Sequence, residues 1–369
     1  MKFEKINIKG DKRRILLAPL DWGLGHATRC IPIIYSLLAQ NFEVIIAADG
    51  AIKNLLKKEF PDVVFTHLKG YKIRYSTTGR WLPVRLLMQF PGVLKSIFSE
   101  HQWLKAIAKE YQIDIVISDN RLGLYHSTIP GIYITHQLQI KTSNRFTTWL
   151  AQKIHYFFIN KYNTCWVPDN ASGDNNLAGT LSHPKKFPSI PVQYLGPLSR
   201  FEKFTVEKKY DLLVLLSGPE PQRTILETTL LNQLKKISGR VLVVRGLPGD
   251  EPVINNGDTI TIVNHLTATE LNNAVMQADW IICRSGYTTI MDLVKLGKKA
   301  ILIPTPGQTE QEYLAAYLMQ KKIFFSVLQK DFVLADALQN AEQFSFTNIL
   351  PYEETYKKAI EEMAANLKA

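Results

Sequence analysis

Two α/β domains, each a parallel sheet covered by helices and together enclosing a cleft, are predicted by three observations. The chain has 369 residues, enough for two domains at roughly 150 residues each. Short β-branched runs alternate with longer amphipathic stretches, which is how βαβ units with a sheet buried on both faces read in sequence. This alternation starts twice, and a Gly-Pro step followed by charged residues separates the two passes.

In the first pass the predicted strands are 14–19, 42–48, 63–66, 114–118 and 132–135, with a helix over 27–40 after a glycine-containing turn. In the second they are 211–216, 241–244, 259–263, 280–283 and 300–304. Gly196-Pro197-Leu198-Ser199-Arg200 and the charged stretch to Lys209 mark the hinge. The expected division is a first domain over 1–198, a linker over 199–209, a second domain over 210–350 and a closing helix over 351–369 placed to pack back on the first domain. The predicted fold class is thus α/β, two Rossmann-like domains facing an interdomain cleft.

Composition narrows the function. Three cysteines, Cys30, Cys165 and Cys283, lie too far apart for a disulfide framework or a cysteine zinc site, which suits a reducing cytoplasm. Met1 to Lys5 is polar with no apolar leader core, and no stretch reaches the ~18–20 apolar residues of a membrane span. The net charge is +11, and all of it sits in residues 1–198, which carry +12 against −1 for the remainder. Such asymmetry points the first domain at a polyanion or an anionic membrane. Nucleic acid is set aside, because no RNA- or DNA-binding motif accompanies the charge.

Open α/β sheets bind ligands outside the carboxyl ends of their strands, so the loops after strands are where chemistry belongs. Leu20-Asp21-Trp22-Gly23-Leu24-Gly25-His26 follows the first strand. Gly23 and Gly25 let the backbone approach a ligand, and the helix start offers free N–H groups. It is no dinucleotide fingerprint, since Thr28 stands at the third glycine position. His26 is placed to serve as a general base for a hydroxyl, the alternative being a capping role. Asp119-Asn120-Arg121 and His136-Gln137 follow later strands and are acceptor-side candidates, with Asp119 a second candidate base. In the second domain, Ser217-Gly218 opens a loop fit for a diphosphate. Arg284-Ser285-Gly286 ends a strand, Asp292 follows two helical turns on, and Gln308, Glu310, Gln311 and Glu312 follow the next strand. Hydroxyl-rich ligands need such amides and carboxylates. No Asp-x-Asp and no clustered metal ligands occur, so metal-independent chemistry is expected.

On these motifs the sequence resembles the MurG-like branch of the GT-B glycosyltransferases, specifically over 283–312 and more loosely over 20–29. The branch includes the transferase that adds N-acetylglucosamine to a lipid-linked peptidoglycan precursor. The resemblance implies that His26 is a base or acceptor contact, that Ser217 and Gly218 lie near the donor diphosphate, and that the Leu266 backbone pairs with uracil. It implies that Arg284, Ser285 and Gly286 form the family's Arg-Ser-Gly. It sets Asp292 where a ribose-binding Glu stands in the family, and Gln311 and Glu312 on a sugar-binding Gln-Gln pair. Glu312 accepts hydrogen bonds but donates none, which bears on the preferred sugar.

The implied function is transfer of a hexose or N-acetylhexosamine from a UDP-sugar to a lipid-linked or other hydroxyl acceptor, with inversion and without a cofactor. A UDP-sugar 2-epimerase of the same fold and a non-catalytic nucleotide-sugar-binding subunit are the alternatives. Two stretches, Arg80–Phe90 and Phe146–Phe158, mix large apolar residues with basic ones. They read either as helices packed on their own sheet or as a peripheral contact with an anionic membrane at its inner face.

Overall fold

The computed structural model describes residues 12–70, 82–142, 144–172, 175–247, 254–256, 259–347 and 354–366, with the side chains of 82–91 and 254–256 left aside. The first domain runs β1 (Arg14–Pro19), α1 (Leu24–Ala39), β2 (Glu43–Ala47), α2 (Gly50–Glu59), β3 (Val64–Thr66), α3 (Leu82–Glu110), β4 (Ile115–Asp119), β5 (Gly131–Ile134), α4 (Arg145–Ile159), β6 (Thr164–Val167) and β7 (Val192–Tyr194). The second runs β8 (Tyr210–Leu215), α5 (Gln222–Leu234), β9 (Val241–Val244), β10 (Ile254–Asn256), β11 (Ile260–Val263), α6 (Ala268–Gln277), β12 (Ala278–Cys283) and α7 (Tyr287–Leu296). It closes with β13 (Ile301–Leu302), α8 (Thr309–Gln320), β14 (Phe325–Ser326) and α9 (Leu334–Gln343), and α10 (Thr355–Asn366) follows.

Each domain holds one seven-stranded sheet, ordered β3-β2-β1-β4-β5-β6-β7 and β10-β11-β9-β8-β12-β13-β14. Every pairing is parallel except β10 with β11. The central strands β1, β4 and β5 are buried along their whole length, as parallel strands covered on both faces must be. The strands that sequence patterning missed are β6, β7, β10 and β14. They are two to four residues long and lie toward the sheet edges, so they carry too few β-branched residues to register as runs.

α1 begins at Leu24 instead of Ala27, because Gly23 takes φ 118°, a conformation that favours glycine, and turns the chain directly into the helix. His26 therefore lies inside the first turn of α1. One continuous buried cluster joins the domains, from Ile31 and Ile34 of α1 through Leu198 and Phe201 to Met291 and Val294 of α7. α10 crosses back to pack on α1 and β7.

Across the cleft the domains also meet through polar contacts. Tyr313 Oη accepts from Thr180 N (2.8 Å), Tyr317 Oη donates to Asn176 Oδ1 (2.7 Å), and Lys141 Nζ sits 3.4 Å from the Tyr313 ring centre. Gly179 is where this seam is tightest: at φ 53°, an added Cβ would lie 2.3 Å from Tyr313 Oη. Gly179→Ala should therefore cost about 1–3 kcal/mol, from left-handed strain and overpacking together. An unchanged urea midpoint would show that the seam yields freely.

Candidate functional site

The carboxyl ends of both sheets open on the cleft, and helix α1 delivers the first group to it. His26 and Arg29 stand three residues apart and so share one face of α1. That face meets the end of β4, where Asp119 is wholly buried. His26 Nδ1 lies 2.9 Å from Asp119 Oδ2, and Arg29 Nε donates to both Asp119 oxygens at 3.1 and 3.2 Å, with Nη2 closer still. Burial alone would raise the Asp119 carboxyl, but Arg29 and His26 hold it down at about 2. Burial, with Arg29 beside it, pulls the His26 imidazole below its ordinary value, so it is neutral at pH 7. Its Nε2 is left without a partner among the described residues.

The cluster continues into the second domain. Arg29 Nη1 lies 3.2 Å from His136 Nδ1, and His136 Nε2 lies 2.7 Å from Glu310 Oε1 in the first turn of α8. Gln137 Nε2 also donates to Glu310, and the His136 ring stacks on Tyr287 at 4.2 Å between centroids. Sequence reasoning missed Arg29 and Tyr287 altogether. The spacing of three residues from His26 was the available signal for Arg29; nothing local marked Tyr287.

The first turns of α1 and α7 face each other across the cleft. Thr288 Oγ1 donates to Gly25 O (3.2 Å), and a Cβ on Gly25 would sit 2.9 Å from that hydroxyl, so only glycine allows this approach. Neither helix has a side-chain N-cap, because Gly23 and Gly286 occupy the cap positions. Two uncapped positive helix ends thus lie next to one another. Beside them, a concavity of about 240 Å³ is lined by Asp21, Gly23, Leu24, Asp49, Gly50 and Gly70.

In the second domain Ser217 and Gly218 are exposed at the end of β8, and Leu266 is half-buried after β11. Gln311 Nε2 donates to Gln308 Oε1 (2.6 Å), its Oε1 accepts from Thr305 N, and Glu312 accepts from Gly307 N. Next to Gly218, the buried Thr305 hydroxyl has no partner among the described residues. Asn120 faces Tyr133 Oη at 3.4 Å, with φ 56° at the end of β4.

Several expectations need correcting. Asp119 is no substrate base, since it is buried and spent on Arg29 and His26. Arg121 is buried too, donating to Pro19 O, Lys69 O and Glu100, so it shapes the β4 loop and does not face an acceptor. His136 is 4% exposed and engaged at both nitrogens. Arg284 donates to Ile303 O, Pro304 O and Gln222 O, tying strand-end loops together, and burial lowers it to about 10. Ser285 is buried and donates to Gln311 O. Asp292 points to the linker, where its Oδ1 accepts from Ser199 Oγ at 2.5 Å.

Of the two basic aromatic stretches, residues 80 and 81 lie outside the described ones, and of 82–90 only the helical backbone of α3 is described. The second stretch is α4, with Phe146, Trp149 and Phe157 on the surface, and Phe98 of α3 is exposed as well. Ile97 of α3 and Phe158 of α4 share one apolar cluster, so the two helices are neighbours. No helix among the described residues is long and apolar enough to cross a membrane. Among them, too, no three His, Cys, Asp or Glu side chains are grouped to hold a metal ion.

Residues 225–368 match the glycosyltransferase family 28 C-terminal domain. The chain is 27% identical over 266 residues to the UDP-N-acetylglucosamine--N-acetylmuramyl-(pentapeptide) pyrophosphoryl-undecaprenol N-acetylglucosamine transferase of Haemophilus ducreyi, covering 67% of this chain and 70% of that one. Among solved structures it is similar to the glycotransferase of kitacinnamycin, with a TM-score of 0.64, 15% identity and 97% and 96% of the two chains covered. It is also similar to Acinetobacter baumannii MurG, with a TM-score of 0.53, 15% identity and 96% and 94% covered.

The Asp292 carboxyl carries a measurable consequence. Burial raises it from 3.8 to about 6, against the Ser199 hydroxyl, Arg200 and Lys295, which favour its charge. The folded state thus holds this proton more tightly than the unfolded chain does. The stability tied to it is complete below about pH 4 and is lost as pH rises through 6. Asp292→Asn, permanently neutral, should be more stable than the native protein near neutral pH, by at most about 3 kcal/mol, and equal to it in acid. Thermal melts whose difference does not grow with pH would refute this.

Proposed function

We infer that this chain, a MurG-like glycosyltransferase of the family 28 kind with the two-domain GT-B fold, transfers a sugar from a UDP-sugar to a hydroxyl acceptor with inversion. One observation carries the reading: two uncapped helix N-termini, of α1 and α7, meet beside the half-buried His26 and its buried partner Asp119. Adjacent positive helix ends favour an anion bound at their free N–H groups, and the diphosphate of a nucleotide sugar fits that need. Ser217 and Gly218 then border the diphosphate and the Leu266 backbone the base, while Gln308, Gln311 and Glu312 face the sugar. Gly23, Gly25 and Asn120 border the acceptor.

In this reading His26 is the general base. With Nδ1–H donated to Asp119, Nε2 carries the lone pair that takes the acceptor hydroxyl proton. The acceptor oxygen bonds to the anomeric carbon as the carbon–oxygen bond to the diphosphate breaks, and UDP departs with the electron pair. The negative charge gathering on UDP is met by the first-turn N–H groups of α7.

A panel of UDP-sugars, with UDP-N-acetylglucosamine of the relatives first, should release free UDP only when lipid extract is present. His26→Ala should lower kcat by roughly 10²–10⁴-fold and leave UDP affinity nearly intact. The acid limb of the native kcat/KM profile should fall below pH 6.5, because the His26 imidazole is held below that value. Epimerised UDP-sugar without UDP release, or full turnover by His26→Ala, would overturn the assignment.

The acceptor is proposed to be lipid-linked, met by the first domain on the inner face of the membrane. The +12 of residues 1–198 and the surface aromatics Phe98, Phe146, Trp149 and Phe157 support this. Each basic side chain near an anionic leaflet is worth about 1 kcal/mol, within a Debye length. Sedimentation with anionic vesicles should fall steeply with salt and be weakened by Trp149→Glu with Phe157→Glu. Retention in the supernatant at every ionic strength would mean a soluble acceptor.

A further inference from the structure

We propose that Glu310 and His136 are positioning residues for the transfer step, through which the second domain sets the tautomer of His26 when the cleft closes. This rests on the reading of His26 as base and deepens it.

His26 Nδ1 has two claimants at the same distance. Asp119 Oδ2 lies at 2.9 Å and can only accept; Arg29 Nη2 lies at 2.9 Å and can only donate. If Nδ1–H donates to Asp119, the lone pair is on Nε2, facing the cleft, and the ring can take a proton from an acceptor. If Nδ1 accepts from Arg29, the proton sits on Nε2 and the ring cannot act as a base. The arrangement of Arg29 thus decides whether His26 is competent.

Arg29 is held in turn by His136, through which it reaches the other domain. Its Nη1 faces His136 Nδ1 at 3.2 Å. A guanidinium has no acceptor, so His136 must present a lone pair there and carry its proton on Nε2. That proton points at Glu310 Oε1, 2.7 Å away, on α8 of the second domain. The other groups against the His136 ring leave this choice standing: Tyr287 stacks on its face and donates its own hydroxyl to Pro168 O, and Gln137 donates to Glu310. Among the described residues, Glu310 is the second-domain carboxylate that favours the Nε2–H form. A proton on His136 Nδ1 would push against Arg29, turning its Nη2 toward His26 and away from Asp119.

Long-range ¹H–¹⁵N correlation spectra of protein labelled at histidine nitrogen read each ring's tautomer without any turnover, with His26→Gln and His136→Gln assigning the two rings. The native protein should show His26 as the Nδ1–H form and His136 as the Nε2–H form. In Glu310→Ala the His26 pattern should invert, or average between the two forms. Glu310→Gln, whose amide oxygen still accepts from His136, should restore the native pattern. kcat should follow the spectra, falling on the order of 10²-fold in Glu310→Ala and recovering largely in Glu310→Gln, with UDP affinity changed less. A native His26 pattern in folded Glu310→Ala overturns the coupling even if His26 is the base. Loss of turnover in His26→Ala together with that pattern keeps the base and removes the positioning role. Should Glu310→Ala not fold, Glu310→Ser is read in the same way.

Discussion

A buried ion pair, Arg29 with Asp119, is the interaction on which the cleft is built. Both side chains are almost wholly out of water. Desolvating two charges costs several kcal/mol each, and the pair is tolerable only because nearly every remaining donor and acceptor is used. Those remaining positions fall to His26, His136 and the Cys30 thiol, which lies 3.8 Å from Asp119. Removing either charge would leave the other unpaired in the interior. The pair therefore orders three further side chains around it, and through His136 it reaches the second domain.

That reach adds a polar link to the apolar one between the two domains. α10, from the end of the chain, packs on α1 and β7 of the first domain. Apolar continuity through Leu198 and Phe201 holds the domains at the hinge. The polar contacts of Tyr313, Tyr317 and Glu310 hold them across the cleft. α8 supplies all three seam residues from one helix, so one rigid element carries both the latch and the side chains of Gln311 and Glu312 at its start. The loop that leads into α8 and the seam are thus mechanically linked.

Much of the architecture was legible in the sequence. The central strands announce themselves, since parallel strands buried on both faces must be runs of Ile, Leu and Val, as Ile115–Ile117 and Leu212–Leu215 are. The edge strands did not, because they are only two to four residues long and their residues are ordinary. In the cleft, His26 was readable from its place after two glycines. What could not be read was the use made of charged residues. Arg121, Arg284 and Asp292 look like ligand contacts because they are polar and follow strands, yet each is spent on backbone carbonyls or on the linker. A strand-end arginine has two possible employers, a ligand or the carbonyls of neighbouring loops, and only the fold tells which. Glu310 shows the converse. It lies beside residues expected to face a sugar, and its partner stands more than a hundred residues earlier in the chain.

A transferase has a difficulty that a hydrolase lacks, since water is always at hand and is a competent acceptor of the same sugar. A base poised in an open cleft would activate water as readily as the intended hydroxyl. Steric exclusion answers this only after closure, because the open cleft is wet. Making the base itself depend on closure removes the exposure at its source. With Nδ1 of His26 contested between Asp119 and Arg29 at equal distance, the chemical difference between an inert and a competent ring is the position of one proton. A carboxylate arriving from the other domain, acting through His136 and Arg29, is sufficient to move it. The low pKa of Asp119 fits this arrangement: the carboxylate stays charged throughout, so its role is to hold the proton on Nδ1 and never to take it.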